Sequence, residues 1–288
     1  MDETTTPIRP VVGFVGLGAM GGPMADHVAR AGFAPRVFDV RPEQIEARLH
    51  HGATAATTVT EAVMSADVAI IVLHDDAQVL DVIDYEFIGS MAPNGIVVLH
   101  STVTLEAVRT LRQRCEGSGR RLVDIGISGS VTGAEAGDLL LIAGGDGGTL
   151  ESIRPLLDSY SRDLVHCGDV GTGMAVKAAR NLIALSVMAV AADGLALAAS
   201  AGVDRRLFAD IVRSTDPSGH CQRALDGTML TASGNTLDGI RQTGMKDLMV
   251  AAAIALELEV DVPTGLAAID DWCRVVAMLG AELDDDNY

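Results

Sequence analysis

Gly16, Gly18 and Gly21 stand at G-x-G-x-x-G spacing in the stretch GFVGLGAMGGPMA, with Ala19 and Met20 between the second and third glycines. After a strand and before a helix, that spacing suits a dinucleotide. The first glycine permits a tight turn, the second lets the backbone approach a pyrophosphate, and the third lets helix and strand pack closely. Asp39 follows Gly16 by 23 residues, close to the roughly 20 at which an acid meets a ribose hydroxyl. Its carboxylate accepts from the 2′-OH of NAD and repels a 2′-phosphate. Arg41 points the other way, since a guanidinium can pair with that phosphate; otherwise it is a surface charge at a helix start. The pair predicts NAD as the preferred cofactor, with NADP possible.

A second chemical signal is what lysine does here. The chain has 19 arginines and only two lysines, Lys177 and Lys246. Arginine keeps its proton throughout the working range, whereas a buried lysine can lose it near neutral pH. Lysine is therefore the residue that a general acid or base position uses. Lys177 follows GTG near the start of a long helix, where a domain cleft is expected. Asn181, four residues on, projects from the same face and can orient a substrate hydroxyl or the amine. Lys246 lies in the apolar helix TGMKDLMVAAAIAL, where its plain reading is a side chain that snorkels from the helix edge.

These residues need a scaffold. Short apolar runs (VVGFVG, PRVFDV, VAIIVL, GIVVLH, RLVDIG) alternate with helical stretches at Ala19–Ala31, Pro42–His50, Ala77–Ile88 and Leu105–Glu116. That alternation predicts a parallel sheet covered on both faces. LLLIAGG and DLVHCG add two strands around a helix near Thr149–Ser159. After CGDVGTG the pattern becomes alanine-rich and helical, and one helix is expected from about Thr172 to Ala201. The predicted fold is α/β: a doubly wound, Rossmann-type sheet at 1–170, then an all-helical domain at 171–288.

A net charge of −18 argues against nucleic acid or an anionic membrane as partner. Four scattered cysteines, Cys115, Cys167, Cys221 and Cys273, form no C-x-x-C pair and fit a reducing cytoplasm. The seven histidines lack ligand spacing, so no metal is expected. The opening MDETTTPIRP is polar rather than secretory. The most apolar run, LIALSVMAVAADGLALAASAGV, is interrupted by Asp193 and Gly194 and reads as a helix buried in a soluble protein.

Taken in order, GFVGLGAMGGPMA, HSTV, DIGISGSVTGAEAG, GTGMAVKAARN and MKDL make the chain resemble the β-hydroxyacid dehydrogenases, from about Val11 to Leu279. The resemblance implies a Rossmann domain followed by a helical domain that packs in a homodimer or homotetramer. It implies reversible hydride transfer between nicotinamide and the hydroxyl carbon of a small 3-hydroxy acid. Lys177 matches the family's catalytic lysine and Asn181 its substrate-contacting asparagine. Ser128 and Gly129, with Ser130 beside them, match the loop that binds the substrate carboxylate. Leu73 and Thr102 match cofactor contacts, and Lys246 matches the lysine that reaches the nicotinamide side. Ser130 replaces a usual glycine, Gly126 and Ile127 replace a usual proline and valine, and His74 replaces a common proline. Arg180 adds a cation, and STDPSGH carries Asp216 and His220. Two other readings are an imine reductase of the same architecture and a catalytically inactive nucleotide-binding module. Lys177 argues against the first, and Lys177 with Asn181 against the second.

Overall fold

The computed structural model describes residues 9–215 and 234–280; Asp216, His220, Cys221 and the acidic tail lie outside them. The chain divides into two compact units, Met1–Lys177 and Ala178–Tyr288.

The first unit is built on eight strands: β1 (Val12–Val15), β2 (Arg36–Phe38), β3 (Thr54–Ala55), β4 (Val68–Ile71), β5 (Ile96–Leu99), β6 (Arg121–Ser128), β7 (Leu139–Gly144) and β8 (Ser161–Gly168). They form one sheet in the order β3-β2-β1-β4-β5-β6-β7-β8. Every residue of β1, β4 and β5 is buried, as strands covered on both faces must be. Alternate side chains divide between two apolar cores. Val12, Phe14, Val68, Ile70, Ile96 and Val98 enter one, and Val15, Ala69, Ile71, Val97 and Leu99 enter the other.

Helices α1 (Gly21–Arg30), α2 (Pro42–Leu49) and α3 (Val59–Val63) connect the first four strands. The single helix expected over Ala77–Ile88 is two, α4 (Asp76–Val82) and α5 (Tyr85–Ser90). Ile83 leaves helical geometry, and the Asp84 carboxylate accepts from the Phe87 N–H to start a new helix, an N-cap that competes with continuation. Helix α6 (Leu105–Gly117) follows β5 and is capped by Thr104.

The sheet is not parallel throughout. β7 runs antiparallel to β6, and β8 runs parallel to β7. Only the short α7 (Ser130–Ala136) and a left-handed turn at Gly137 separate β6 from β7. That connection is too short for a crossover between parallel strands, which takes about a dozen residues or more. Helices α8 (Gly147–Ser152) and α9 (Arg154–Leu157) lead to β8.

A buried polar pair ties β5 to this edge. His100 Nδ1 lies 2.7 Å from the Ile125 carbonyl and Nε2 lies 3.0 Å from the Tyr160 hydroxyl. Burial, opposed by the bond to Ile125, lowers the His100 pKa to about 4, so the ring is neutral, with Nδ1–H donating and Nε2 accepting. Unfolded histidine binds a proton that this folded ring refuses, so its stabilisation is lost as pH falls from about 6.5 towards 4. A shift of that size is worth up to about 3 kcal/mol. The Tm advantage of wild type over His100→Gln should therefore narrow between about pH 7 and pH 5. An advantage unchanged across that range would contradict the burial argument.

The second unit, as described, is helical. It contains most of α10 (Thr172–Ser200), then α11 (Arg205–Thr215), α12 (Gly234–Glu257) and α13 (Pro263–Gly280). Trp272 and Leu248 are fully buried at its core. Among the described residues the apolar run of α10, expected to be a buried helix, is largely uncovered. Val176, Ile183, Val190 and Leu197 are 43%, 64%, 64% and 73% exposed and recur every seven residues. This stripe of α10 is left uncovered by the described residues.

Candidate active site

The glycine loop leaves the carboxyl end of β1, beside β4. Chain order reverses at this point, and doubly wound sheets bind ligands there. Each glycine has a distinct constraint. A Cβ on Gly16, whose φ is +93°, would lie 2.1 Å from the Val72 carbonyl oxygen. One on Gly21 would lie 2.0 Å from the Gly16 oxygen. One on Gly18 would meet nothing closer than an Arg41 nitrogen at 3.7 Å. The outer glycines thus close the strand–helix turn, and the middle one leaves backbone open to a ligand. No side chain caps α1, and its first turn holds no acid. Its N–H groups therefore suit a pyrophosphate. The cradle fits a dinucleotide.

Asp39 and Arg41 continue the same edge from β2. The Asp39 carboxylate accepts from Leu17 N–H at 2.8 Å, Arg41 N–H at 2.9 Å and Arg41 Nε at 3.1 Å. Burial alone would raise its pKa, but the Arg41 side chain and the two backbone donors outweigh burial and hold it below the ordinary value. The sequence sets these residues against each other; in the structure they are partners, and Asp39 also braces the glycine loop. Leu73 and Thr102 follow β4 and β5, so the strand order β2-β1-β4-β5 brings all the expected cofactor residues of this unit to one edge. Leu73 N–H donates to Ser101 Oγ at 2.7 Å.

Strand β6 carries the other half of this unit's site. Asp124, Gly126 and Ser128 share one of its faces, because side chains alternate. A Cβ on Gly126 would lie 2.6 Å from the Lys177 Cβ and 2.9 Å from its Cγ. The Lys177 stem therefore lies directly against Gly126, and Lys177 is 8% exposed. Ser128 ends the strand, followed by Gly129 at φ +146° and Ser130 at φ +59°. Ser130 thus holds a left-handed conformation that costs a non-glycine residue about 1–2 kcal/mol. The family's usual glycine would be unstrained there.

In the second unit Asn181, 4% exposed, donates from Nδ2 to Asp247 Oδ2 at 2.7 Å and accepts from Arg180 at 3.1 Å. Lys246 Nζ lies 3.0 Å from Asp247 Oδ1. Asp247 therefore joins two residues that the sequence treats separately and fixes the Asn181 amide. Neither Asp124, Gly126 nor Asp247 was singled out as a site residue. Asp247 directly follows Lys246, but only its contact with Asn181 reveals its part.

A family model described as the NAD binding domain of 6-phosphogluconate dehydrogenase matches residues 11–171. A second, described as the NAD-binding of NADP-dependent 3-hydroxyisobutyrate dehydrogenase, matches residues 171–288. A 3-hydroxyisobutyrate dehydrogenase of Pseudomonas aeruginosa is 30% identical over 265 residues, covering 89% of each chain. The chain belongs to the β-hydroxyacid dehydrogenase family. Among other relatives, an NAD-dependent L-serine dehydrogenase of Pseudomonas aeruginosa is 32% identical over 70% of this chain and 68% of its own. A solved Mycobacterium tuberculosis 3-hydroxyisobutyrate dehydrogenase with L-serine superposes with a TM-score of 0.81 at 26% identity, covering 94% of both chains. As a β-hydroxyacid dehydrogenase, the chain is an NAD(P)-dependent oxidoreductase with a Rossmann-like domain followed by a helical one.

Proposed function

We propose that the chain catalyses reversible hydride transfer at the hydroxyl carbon of a small 3-hydroxy acid, with Lys177 as general acid and base. The observation that carries the reading is the Lys177 stem seated on Gly126 of β6, in the unit that also holds the glycine cradle. A bound nicotinamide cofactor supplies the hydride chemistry. As hydride leaves the carbinol carbon, Lys177 Nζ takes the hydroxyl proton; in the reverse direction it returns that proton to the nascent alkoxide. Ser128, the Gly129 N–H and Ser130 hold the substrate carboxylate. Asn181, fixed by Asp247, orients the reacting end, and Lys246 reaches the nicotinamide side.

NAD is the preferred cofactor because Asp39 would face a 2′-phosphate. Gly16, Gly18, Ala19, Met20 and Gly21 hold the pyrophosphate. Leu73 and Thr102 line the same edge, and Arg41 is the route by which NADP remains possible. On this reading 1–170 binds the dinucleotide, and 171–288 serves substrate binding and assembly. The working compartment is the cytoplasm, in keeping with the free thiols of Cys115 and Cys167. L-Serine and 3-hydroxyisobutyrate are the first substrates to test, since relatives carry those names. A panel of 3-hydroxy acids and their semialdehydes, followed by nicotinamide absorbance with NAD and NADP, should give turnover with at least one member. No turnover by a preparation that binds NAD would refute the reading.

The working form is a homo-oligomer, dimer or tetramer. Val176, Ile183, Val190 and Leu197 form one exposed apolar line along α10, surface that association would cover. α10 also meets the length and composition of a membrane span, but a second copy of the chain covers the stripe in this reading. Sedimentation at micromolar concentration should give a dimer or larger, and Val190→Glu with Leu197→Glu should shift it to monomer. A wild-type monomer would overturn the assignment.

A further inference from the structure

We propose that Asp124 is a positioning residue that sets Lys177 for proton transfer; the inference rests on the reading of Lys177 given above. The Asp124 carboxylate is fully buried. Its Oδ1 accepts from the Gly171 N–H at 2.6 Å and its Oδ2 from the Met174 N–H at 2.7 Å. These are orphan donors at the start of α10, and the acceptor that satisfies them comes from a strand some fifty residues earlier in the chain rather than from a local cap.

The contact is made tight by missing side chains. A Cβ on Gly173 would lie 2.4 Å from the Asp124 carbonyl oxygen, and one on Gly144 would lie 2.6 Å from Asp124 Oδ1. The first turn of α10 therefore lies directly on the backbone of β6 and β7. One helical turn later stands Lys177, its stem against Gly126, two residues beyond Asp124 on the same strand face. Asp124 fixes the height and rotation of α10, and Gly126 receives the side chain that this fixing delivers. Burial pushes the Asp124 carboxyl up to about 6, against the pull of the Gly171 and Met174 donors, so it is ionised at neutral pH. Two charge-assisted bonds to backbone N–H groups are the stronger kind of hydrogen bond.

The test compares Asp124→Asn and Asp124→Ala with wild type and Lys177→Ala, using the full-length enzyme with NAD and its best 3-hydroxy acid. Rates are expressed per NADH-binding site, counted by fluorescence titration, so that loss of folded protein does not count as loss of catalysis. Asp124→Ala should lower kcat by about 10–100-fold, as misplacement of a reacting group by around an ångström does. KM for NAD should stay within about twofold, since the glycine cradle is elsewhere on the sheet. Asp124→Asn should fall between, because the amide oxygen still accepts one of the two N–H groups; it is also the variant to read if Asp124→Ala does not fold. A kcat per site within about twofold of wild type in Asp124→Asn and Asp124→Ala, while Lys177→Ala is inactive, would overturn this inference alone. Full turnover by Lys177→Ala would overturn the reading beneath it.

Discussion

Replacing Lys177 with alanine should lower turnover by roughly 10²–10⁴-fold, the usual worth of a positioned proton donor or acceptor. Alanine is a strong helix former, so α10 should persist. The loss concerns the amine and the stem packed on Gly126. Lys177→Arg is the sharper comparison. Arginine keeps a long stem and a positive charge, so a purely electrostatic role would survive much of the change. Guanidinium holds its proton throughout the working range, so a proton-transfer role would not survive. NAD affinity should hardly move in either variant, because the expected cofactor contacts of the first unit lie along β2, β1, β4 and β5. The measurements are kcat across pH and NADH binding by fluorescence. Retention of more than about a tenth of wild-type turnover by Lys177→Arg, with the same pH dependence, would remove the general acid and base from the mechanism.

The second large effect is expected at Asp39. Asp39→Asn should shift the ratio of kcat/KM for NAD over NADP towards NADP by one to a few kcal/mol, the order of a charge-assisted hydrogen bond gained and a repulsion removed. Arg41, now paired with Asp39 at 3.1 Å, would be released towards a 2′-phosphate. Asparagine keeps an oxygen for the Leu17 N–H, so the glycine loop stays braced; serine at this position removes that acceptor at the same reach. The comparison therefore separates cofactor choice from loop integrity. A wild-type enzyme that already favours NADP, or a ratio unmoved by Asp39→Asn, would mean that the end of β2 does not select the cofactor.

Local spacing made the cofactor edge legible. Gly16, Gly18 and Gly21 lie within one strand–turn–helix, and Asp39 ends the next strand, so sequence order already puts them together. Lys177 stood out because the chain otherwise uses arginine. Asp124 did not stand out, and Gly126 did so only as a departure from the family's usual proline. What makes them matter is the close approach of β6 and α10, segments some fifty residues apart in the chain, and no periodicity within either segment encodes it. The same is true of Asp247, whose bond to Asn181 spans 66 residues. Arg41 was read as a rival of Asp39 because charge sign is visible in a sequence and pairing geometry is not. In the fold, β3 and α3 were missed because a two-residue strand and a five-residue helix are too short to show a period. The reversal of β7 lay in the shortness of the connection from β6. The apolar run of α10 was legible, but whether its cover comes from the same chain or a second one is not written in hydrophobicity.

The central claim is hydride transfer from the carbinol carbon of a small 3-hydroxy acid. It is tested most directly by supplying L-serine, 3-hydroxyisobutyrate and related acids labelled with deuterium at that carbon, together with NAD or NADP. The reduced cofactor is then examined by mass spectrometry. The account predicts one deuterium per reduced cofactor with at least one acid, formed preferentially with NAD and suppressed in Lys177→Arg. Unlabelled reduced cofactor, or none from any acid in the set with an enzyme that binds NAD, would contradict it.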